Sequence, residues 1–315
     1  MSTVLTLVLA LLLAAPKSAP QPDPTEELFS RSHVLRPLAD GYAVSGTSGG
    51  VGVYAVTQGC ELTQVGRLVL PSAVRDIAVQ GKLVYAALGP QGLAVVDVTN
   101  PEKPLLVTRL ATDRAINLLT LEGKTLHAAS GTLGVTVLDL SRPKKPKVAK
   151  TFALPGLTGR PFVDGDRVLV PTSGLCAYTR DSQQPTCRPG PRVDTVFRLG
   201  GQLFASSGLD LCPVDEAATT PLTFDAPTCV KLPERLRAAL PLGDTQALLA
   251  AGTNQCPKLE VKKCLQPLDC AAGATQAALL AGPATPGTCV NLDATATLLF
   301  LATDAGGPKC EKRAP

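Results

Sequence analysis

Aromatic residues are scarce in this chain: Phe, Tyr and Trp make up 3% of its 315 residues, and tryptophan is absent. Surfaces that bind sugars or single-stranded nucleic acid stack their ligands on exposed aromatic rings. The scarcity therefore argues against a lectin and against a single-strand binder. The net charge of +4 is spread along the chain without long basic blocks, which argues against nucleic acid as a partner.

Motifs for metal binding and catalysis are also missing. The chain has only two histidines, His33 and His127, and no Cys-x2-Cys pair of the kind that builds zinc knuckles. Residues 46–50, GTSGG, fit G-x-S-x-G, but a strand-like segment follows where a nucleophile elbow needs a helix. We find no catalytic, metal or nucleotide motif, and we expect neither a cofactor nor a bound metal.

Two segments that start 42 positions apart share one sequence pattern. Residues 92–106 are GLAVVDVTNPEKPLL and residues 134–148 are GVTVLDLSRPKKPKV, with six of fifteen aligned positions identical. Unrelated segments of this length would share roughly one. The chain therefore contains an internal repeat.

Each repeat unit alternates short apolar runs with turns. The runs VRDIAVQG, KLVYAALG, GLAVVDV and LLVTRL predict four strands, and none has the 3.6-residue period of an amphipathic helix. Four antiparallel strands in roughly 42 residues are the dimension of a propeller blade. We therefore predict an all-β fold, a β-propeller of four-stranded antiparallel blades.

A glycine is expected where the first strand of each blade turns into the second, because a tight hairpin needs a residue that accepts positive φ. Glycines recur at this place at steps of 36 to 42 residues: Gly41, Gly81, Gly123, Gly165, Gly201, Gly243 and Gly282. They predict seven blades, approximately 32–69, 70–111, 112–153, 154–190, 191–232, 233–272 and 273–315. The last unit lacks a clear third strand, so six blades are the alternative.

The string GLAVVDVTNPEKPLLV resembles the LVIVD repeat of bacteria and archaea. Blades two and three, about residues 70–153, resemble it well, blade one partly, and the other blades only in their spacing. The resemblance implies a β-propeller in an exported or surface protein. It carries no shared catalytic residues and so implies no active site.

The N-terminus has the pattern of a secretory signal. Residues 4–15 form an uncharged run, followed by small residues, which is too short to span a bilayer comfortably. We expect a signal peptide over residues 1–19, a mature chain that starts between about residues 15 and 20, a flexible linker over 20–31 and the propeller over 32–315. No Lys or Arg precedes the run, so an uncleaved anchor and a buried helix stay as alternatives.

Nine of the ten cysteines lie after residue 175. Three pairs are separated by 11 to 17 residues, which suits two neighbouring antiparallel strands bridged across their loop. A metal site is the competing interpretation. We predict disulfides Cys176–Cys187, Cys212–Cys229 and Cys256–Cys270, and also Cys289–Cys310, which leaves Cys60 and Cys264 unassigned.

Arginines recur five or six residues before the strand-ending glycine in four units: Arg36, Arg75, Arg160 and Arg237. The first strand of a propeller blade lines the central channel, so these residues are predicted to ring one mouth of it. Guanidinium groups converging there would hold a carboxylate or a phosphate. The alternative is that each arginine lies in a solvated loop or pairs with a neighbour such as Asp76.

These features favour an exported, non-enzymatic β-propeller that acts as a binding or scaffold module in the periplasm, outside the cell or on the surface of a bacterium. Its partner would be an unknown protein or an anionic envelope ligand. The protein is expected to be a monomer that meets the membrane only through its transient signal peptide. The alternative function is a propeller hydrolase or oxidoreductase with its site over the channel.

Overall fold

A computed structural model describes residues 28–29, 31–224, 228–251, 253–263, 275–280, 284–295, 298–303 and 308–312. The chain forms a β-propeller of seven four-stranded antiparallel blades, which confirms the predicted fold and the count of seven. In the described part of the chain, the only helical element whose first and last residues are both defined is a 3-10 turn, Gly131–Leu133.

The first four blades follow the chain in order. Blade one contains β1 (Ser32–Pro37), β2 (Tyr42–Thr47), β3 (Gly50–Val56) and β4 (Leu62–Val69). Blade two contains β5 (Asp76–Gln80), β6 (Leu83–Ala87), β7 (Leu93–Asp97) and β8 (Leu105–Leu110). Blade three contains β9 (Leu118–Glu122), β10 (Thr125–Ala129), β11 (Val135–Asp139) and β12 (Lys147–Phe152). In blade four, the long β14 (Arg167–Thr179) pairs with β13 (Phe162–Asp164) through its first arm and with β15 (Thr186–Arg192) through its second.

Blade five lies within its predicted range, whereas blades six and seven depart from theirs. Blade five contains β16 (Thr195–Leu199), β17 (Gln202–Ser207), β18 (Asp210–Pro213) and β19 (Val230–Lys231). Blade six contains β20 (Ala239–Pro241), β21 (Gln246–Leu249), β23 (Lys258–Lys263) and β24 (Thr275–Leu280). Blade seven contains β25 (Ala284–Ala294), β26 (Leu298–Thr303) and β27 (Pro308–Lys312), joined by β22 (Thr253–Gln255) from a loop of blade six.

The boundary at residue 272 was therefore wrong. β24 pairs along its whole length with β23, which makes it the outer strand of blade six instead of the first strand of blade seven. Gly282, which is predicted to end a first strand, lies outside the described residues. The other six predicted glycines do lie between first and second strands, and all of them have positive φ.

A second set of glycines explains why the repeat begins with this residue. Gly50, Gly92, Gly134 and Gly174 precede or open the third strand of blades one to four, and each has a positive φ. A Cβ atom at these positions would lie 2.0 to 2.2 Å from a backbone carbonyl oxygen of the segment that forms or follows the outer strand. Only glycine fits so close an approach of two strands.

The aspartate of the repeat holds the turn that follows it. Asp97 Oδ1 accepts hydrogen bonds from the backbone N–H and the hydroxyl of Thr99, and Lys144 of blade three donates to Asp97 Oδ2 at 2.9 Å. The bonds from Thr99, followed by those from Lys144, lower the pKa of Asp97 to about 2. Asp139 makes the same turn bonds with Ser141 one blade later. The repeat thus specifies a strand, the turn that ends it and a polar link from its aspartate to the next blade.

Seven apolar clusters fill the spaces between neighbouring blades, one for each interface around the ring. The cluster between blades one and two, for example, packs valines of β2 and β3 against Ile77 and Val84. Because each blade buries both of its faces against neighbours, no single blade has a complete core of its own. Stability therefore depends on the ring being closed.

The ring closes between blades seven and one through a disulfide, Cys60–Cys310, which joins residues 250 positions apart. In the described part of the chain, each strand of blade one pairs only within that blade, so no shared strand crosses this interface. Leu35 and Phe300 pack beside the disulfide. The covalent bond therefore lies in the interface between the first and the last blade.

This bond corrects the prediction that Cys310 pairs with Cys289. Two other bonds, Cys176–Cys187 and Cys212–Cys229, join the residues that the sequence analysis paired. Cys256 is also disulfide-bonded, while Cys270 and Cys264 lie outside the described residues. The short-range bonds connect neighbouring strands within one blade, whereas Cys60–Cys310 spans the whole chain.

Replacing Cys60 and Cys310 together with serine should lower the stability of the protein more than replacing Cys176 and Cys187. In the chain-entropy model, closing a loop of 250 residues contributes about 5 kcal/mol and closing one of 11 residues about 3 kcal/mol. Urea unfolding of the two double variants measures the difference. An equal loss in both variants would show that Cys60–Cys310 does not act as the ring closure.

Candidate binding site at the channel mouth

A cavity of about 610 Å³ lies where the loops that enter the first strands converge. Blades one, two, three, four, six and seven contribute its lining: Arg31, Ser32, His33, Ala73, Val74, Arg75, Leu118, Arg160, Arg237 and Asn291. Only the mouth of the central channel is reached by so many blades at once. Four of the ten lining residues are arginines, and none is a carboxylate.

Three of the four predicted arginines meet at this cavity. Arg75, Arg160 and Arg237 each lie one or two residues before the first strand of their blade. Arg36 does not line the cavity, because it lies inside β1. β1 begins nine residues before Gly41, whereas β5, β13 and β20 begin three to five residues before their glycines, so counting back from Gly41 reaches the strand instead of the loop.

Arg36 is instead part of the interface between blades seven and one. Its guanidinium donates to Asn291 Oδ1 at 2.6 Å and to the carbonyl oxygen of Leu292 at 3.2 Å, and lies 3.5 Å from Asp293 Oδ2. Burial lowers the pKa of Arg36, whereas the charges of Asp76 and Asp293 raise it. Arg36 therefore reinforces the ring closure and offers little to a ligand.

Asp76 is the buried carboxylate at the channel wall, with 1% of its side chain exposed. Its Oδ2 accepts hydrogen bonds from Arg160 Nη1 at 2.5 Å and from the backbone N–H of Leu119 at 2.7 Å. Its Oδ1 lies 3.8 Å from Arg36 Nη2 and accepts no hydrogen bond from the described residues. One carboxylate thus connects blades one, two, three and four.

The remaining arginines of the cavity keep their charge available. Among the described residues, the side chains of Arg31, Arg75 and Arg237 make no ion pair and no hydrogen bond, and all three residues are exposed. Burial, followed by the positive charges of Arg75 and Arg31, lowers the pKa of His33, which lines the same cavity. The mouth is therefore electropositive, with guanidinium donors free to bind an oxyanion.

Arg31 and His33 were not among the predicted site residues. Both lie at the start of β1, eight to ten residues before Gly41, so the rule that found the other arginines does not reach them. No motif marks either residue. Only the folded ring places them beside Arg75.

A second cavity, of about 940 Å³, lies between blades three and four around His127. His127 Nε2 donates to the Glu122 carboxylate at 3.0 Å, and His127 Nδ1 lies 2.7 Å from the Tyr178 hydroxyl. Because a carboxylate only accepts, the neutral ring carries its proton on Nε2 and Nδ1 accepts from Tyr178. Tyr85, the equivalent residue of blade two, makes a neutral link instead, to Gln80 and the Pro143 carbonyl.

This group does not have the properties of a nucleophile with its base. Burial, and secondarily the charge of Glu122, raises the pKa of Tyr178, so its hydroxyl stays protonated. His127 and Tyr178 are each 4% exposed. We therefore interpret Glu122, His127 and Tyr178 as a polar link between two blades.

The described residues contain no group of three or more His, Cys, Asp or Glu side chains arranged to hold a metal ion. They also contain no helix with the length and hydropathy needed to cross a bilayer.

The ring of seven antiparallel blades defines the chain as a β-propeller, and comparison with known proteins identifies the repeat that forms one of the blades. Residues 72–112 match the LVIVD repeat, the stretch that forms blade two. Among curated proteins, none matches the chain significantly.

Many solved structures share the fold at low sequence identity. U3-55K is 10% identical with a TM-score of 0.66, over 90% of this chain and 95% of its own. The computationally designed protein Ika8 is 11% identical with a TM-score of 0.60, over 90% and 83%. The extracellular domain of BT4673 from B. thetaiotaomicron, assigned as a one-component system, is 14% identical with a TM-score of 0.65, over 91% and 39%. At these identities the likeness shows the fold alone.

Replacing Asp76 with alanine should destabilise the ring strongly. The change leaves the partly buried guanidinium group of Arg160 without its carboxylate and removes one of the two carboxylates beside Arg36. Losing one partner of a buried pair costs about 3 to 5 kcal/mol. Asp113→Ala is the matched control, since Asp113 is exposed and surface changes stay within about 0.5 kcal/mol. Similar urea midpoints for the two variants would contradict this role of Asp76.

Stability should fall as the pH drops below 6.5, partly because of His127. Burial lowers the pKa of His127 below the ordinary value of 6.5 despite the opposing effect of Glu122, so the unfolded chain takes up this proton first. His127→Gln removes this contribution. We expect the urea midpoint to change less between pH 7.5 and 5.5 in the variant. An unchanged pH dependence would contradict the assignment.

Proposed function

We propose that the protein is an exported, non-enzymatic β-propeller that binds an anionic ligand at the channel mouth. The observation that carries the proposal is the group of Arg31, Arg75 and Arg237, which face one cavity without a carboxylate partner among the described residues. Converging guanidinium groups repel each other, and a bound anion would relieve this repulsion. A carboxylate or phosphate group suits the fork geometry of arginine.

The wall of the channel supports the same proposal. Asp76 already neutralises much of the charge of Arg160 and Arg36, and these three residues hold neighbouring blades in register. Holding the blades in register does not require the further arginines on the rim. Their position is therefore better explained by a ligand than by folding.

Export is supported by the disulfides. Three described bonds, Cys60–Cys310, Cys176–Cys187 and Cys212–Cys229, belong in an oxidising compartment. The expected signal peptide over residues 1–19 would deliver the chain there. We place the protein in the periplasm, outside the cell or on its surface, where an anionic envelope component or an acidic protein segment would be the partner.

A basic run near the outside of blade three is the rival anion-binding surface. Residues 143–150, PKKPKVAK, include β12, the outer strand of that blade. Lys144 is paired with Asp97, and Lys150 donates to the carbonyl oxygen of Ser182. Two of its four lysines thus have protein partners, and the run serves better as a charged sheet edge that discourages pairing with other chains.

Replacing Arg75 and Arg237 together with glutamine should weaken binding of sulfate and pyrophosphate by about tenfold or more, because each lost hydrogen bond between charged groups is worth about 1.5 to 3 kcal/mol. Binding to the unaltered protein should also weaken with added salt, since the arginines are exposed. Isothermal titration calorimetry and NMR titration measure both effects.

The matched control is Arg109→Gln with Arg142→Gln, which removes the same charge from exposed positions on blades two and three. It should leave binding unchanged. Equal weakening in both double variants would mean that net charge, and not the channel mouth, governs binding. If the Arg75 and Arg237 variant binds as tightly as the unaltered protein, these arginines are solvated loop residues and do not bind the ligand.

A further inference from the structure

We infer that anion binding at the channel mouth is coupled to protonation of His33, so that the site binds its ligand more tightly as the pH falls. The inference deepens the proposed function and rests on it. It concerns the regulation of the site, and it depends on the place of one histidine among arginines that belong to different segments of the chain.

His33 stands inside the arginine group. It lies on β1 and lines the same cavity as Arg31, Arg75, Arg160 and Arg237. Its Nε2 lies 3.1 Å from the Ser48 hydroxyl, in the turn between β2 and β3. Because a hydroxyl both donates and accepts, Ser48 can serve the neutral and the protonated ring equally.

Among the described residues, the charged groups that face His33 are all positive. Arg31 precedes it on the same segment, and Arg75 approaches from the loop between β4 and β5; Arg160 and Arg237 line the cavity from blades four and six. The carboxylate of Asp76 is engaged by Arg160 and Leu119 and is not part of the lining. No described lining residue brings a negative charge to the ring.

An anion bound in the cavity would lower the positive electrostatic potential at His33 to nearly zero. Burial and the charges of Arg75 and Arg31 now lower the pKa of His33 below 6.5, so the free site holds the ring neutral at pH 7. Bound negative charge opposes the arginine contribution and raises this pKa. By linkage, protonation of His33 must then increase the affinity for the anion by the same factor.

The sign and the size of the effect follow from the pKa difference. Above both pKa values the ring is neutral with and without ligand, and the affinity is independent of pH. As the pH falls through the higher pKa of the complex, the affinity rises, and it levels off below the lower pKa of the free site. A difference of half a unit to one unit gives roughly a threefold to tenfold gain.

The experiment uses sulfate, whose charge is constant between pH 5 and 8, with chloride at equal ionic strength as the control for screening. The chain has only two histidines, so a proton NMR titration of the mature protein shows two ring signals, which His33→Gln and His127→Gln assign. With saturating sulfate, we expect the pKa of His33 to rise while that of His127 is unchanged. The sulfate affinity should rise threefold to tenfold from pH 8 to 5.5.

His33→Gln should still bind sulfate but lose this dependence on pH. Three results would overturn the inference: a His33 pKa that sulfate does not move, sulfate affinity that is constant with pH, or pH dependence that persists in His33→Gln. If any of these occurs while Arg75→Gln with Arg237→Gln still weakens binding as expected, the proposed function stands without the coupling. If the unaltered protein does not bind sulfate, both fall.

Discussion

Closure of the ring between blades seven and one is the constraint on which the rest of the structure depends. Each blade is a thin sheet that buries apolar side chains on both faces, and the seven interblade clusters are complete only when the last blade meets the first. No described strand is shared across this interface. Cys60–Cys310 supplies the covalent link, and Arg36 with Asn291 and Asp293 supplies the polar one.

The same interface determines the geometry of the channel mouth. Arg31 and His33 belong to the first segment of blade one, while Asn291 belongs to blade seven, and all three line one cavity. A break between these blades would separate them. The disulfide Cys60–Cys310 therefore supports the geometry of the cavity, because it holds together two of the blades that line it.

The sequence predicts the local features of this fold much better than its long-range ones. Hairpin glycines and the disulfides inside one blade are signals within about 20 residues, and each follows from backbone sterics or short loops. The pairing of Cys60 with Cys310 was missed because nothing local connects residues 250 positions apart. The limit of blade six was misplaced because the outer strand β24 has the apolar pattern of any strand, and only its pairing with β23 assigns it.

In the candidate site, too, the local features are predicted from the sequence better than the long-range ones. Counting back from the hairpin glycine found Arg75, Arg160 and Arg237, since the first strands of their blades begin three to five residues before that glycine. It placed Arg36 wrongly because β1 begins nine residues before Gly41. Whether an arginine pairs within the fold or stays available to a ligand depends on where the carboxylates lie. In this protein the deciding carboxylate is that of Asp76. Its position between Arg36 and Arg160 divides the arginines into two groups. Those on the wall hold the blades together, and those on the rim keep the charge that a ligand can use.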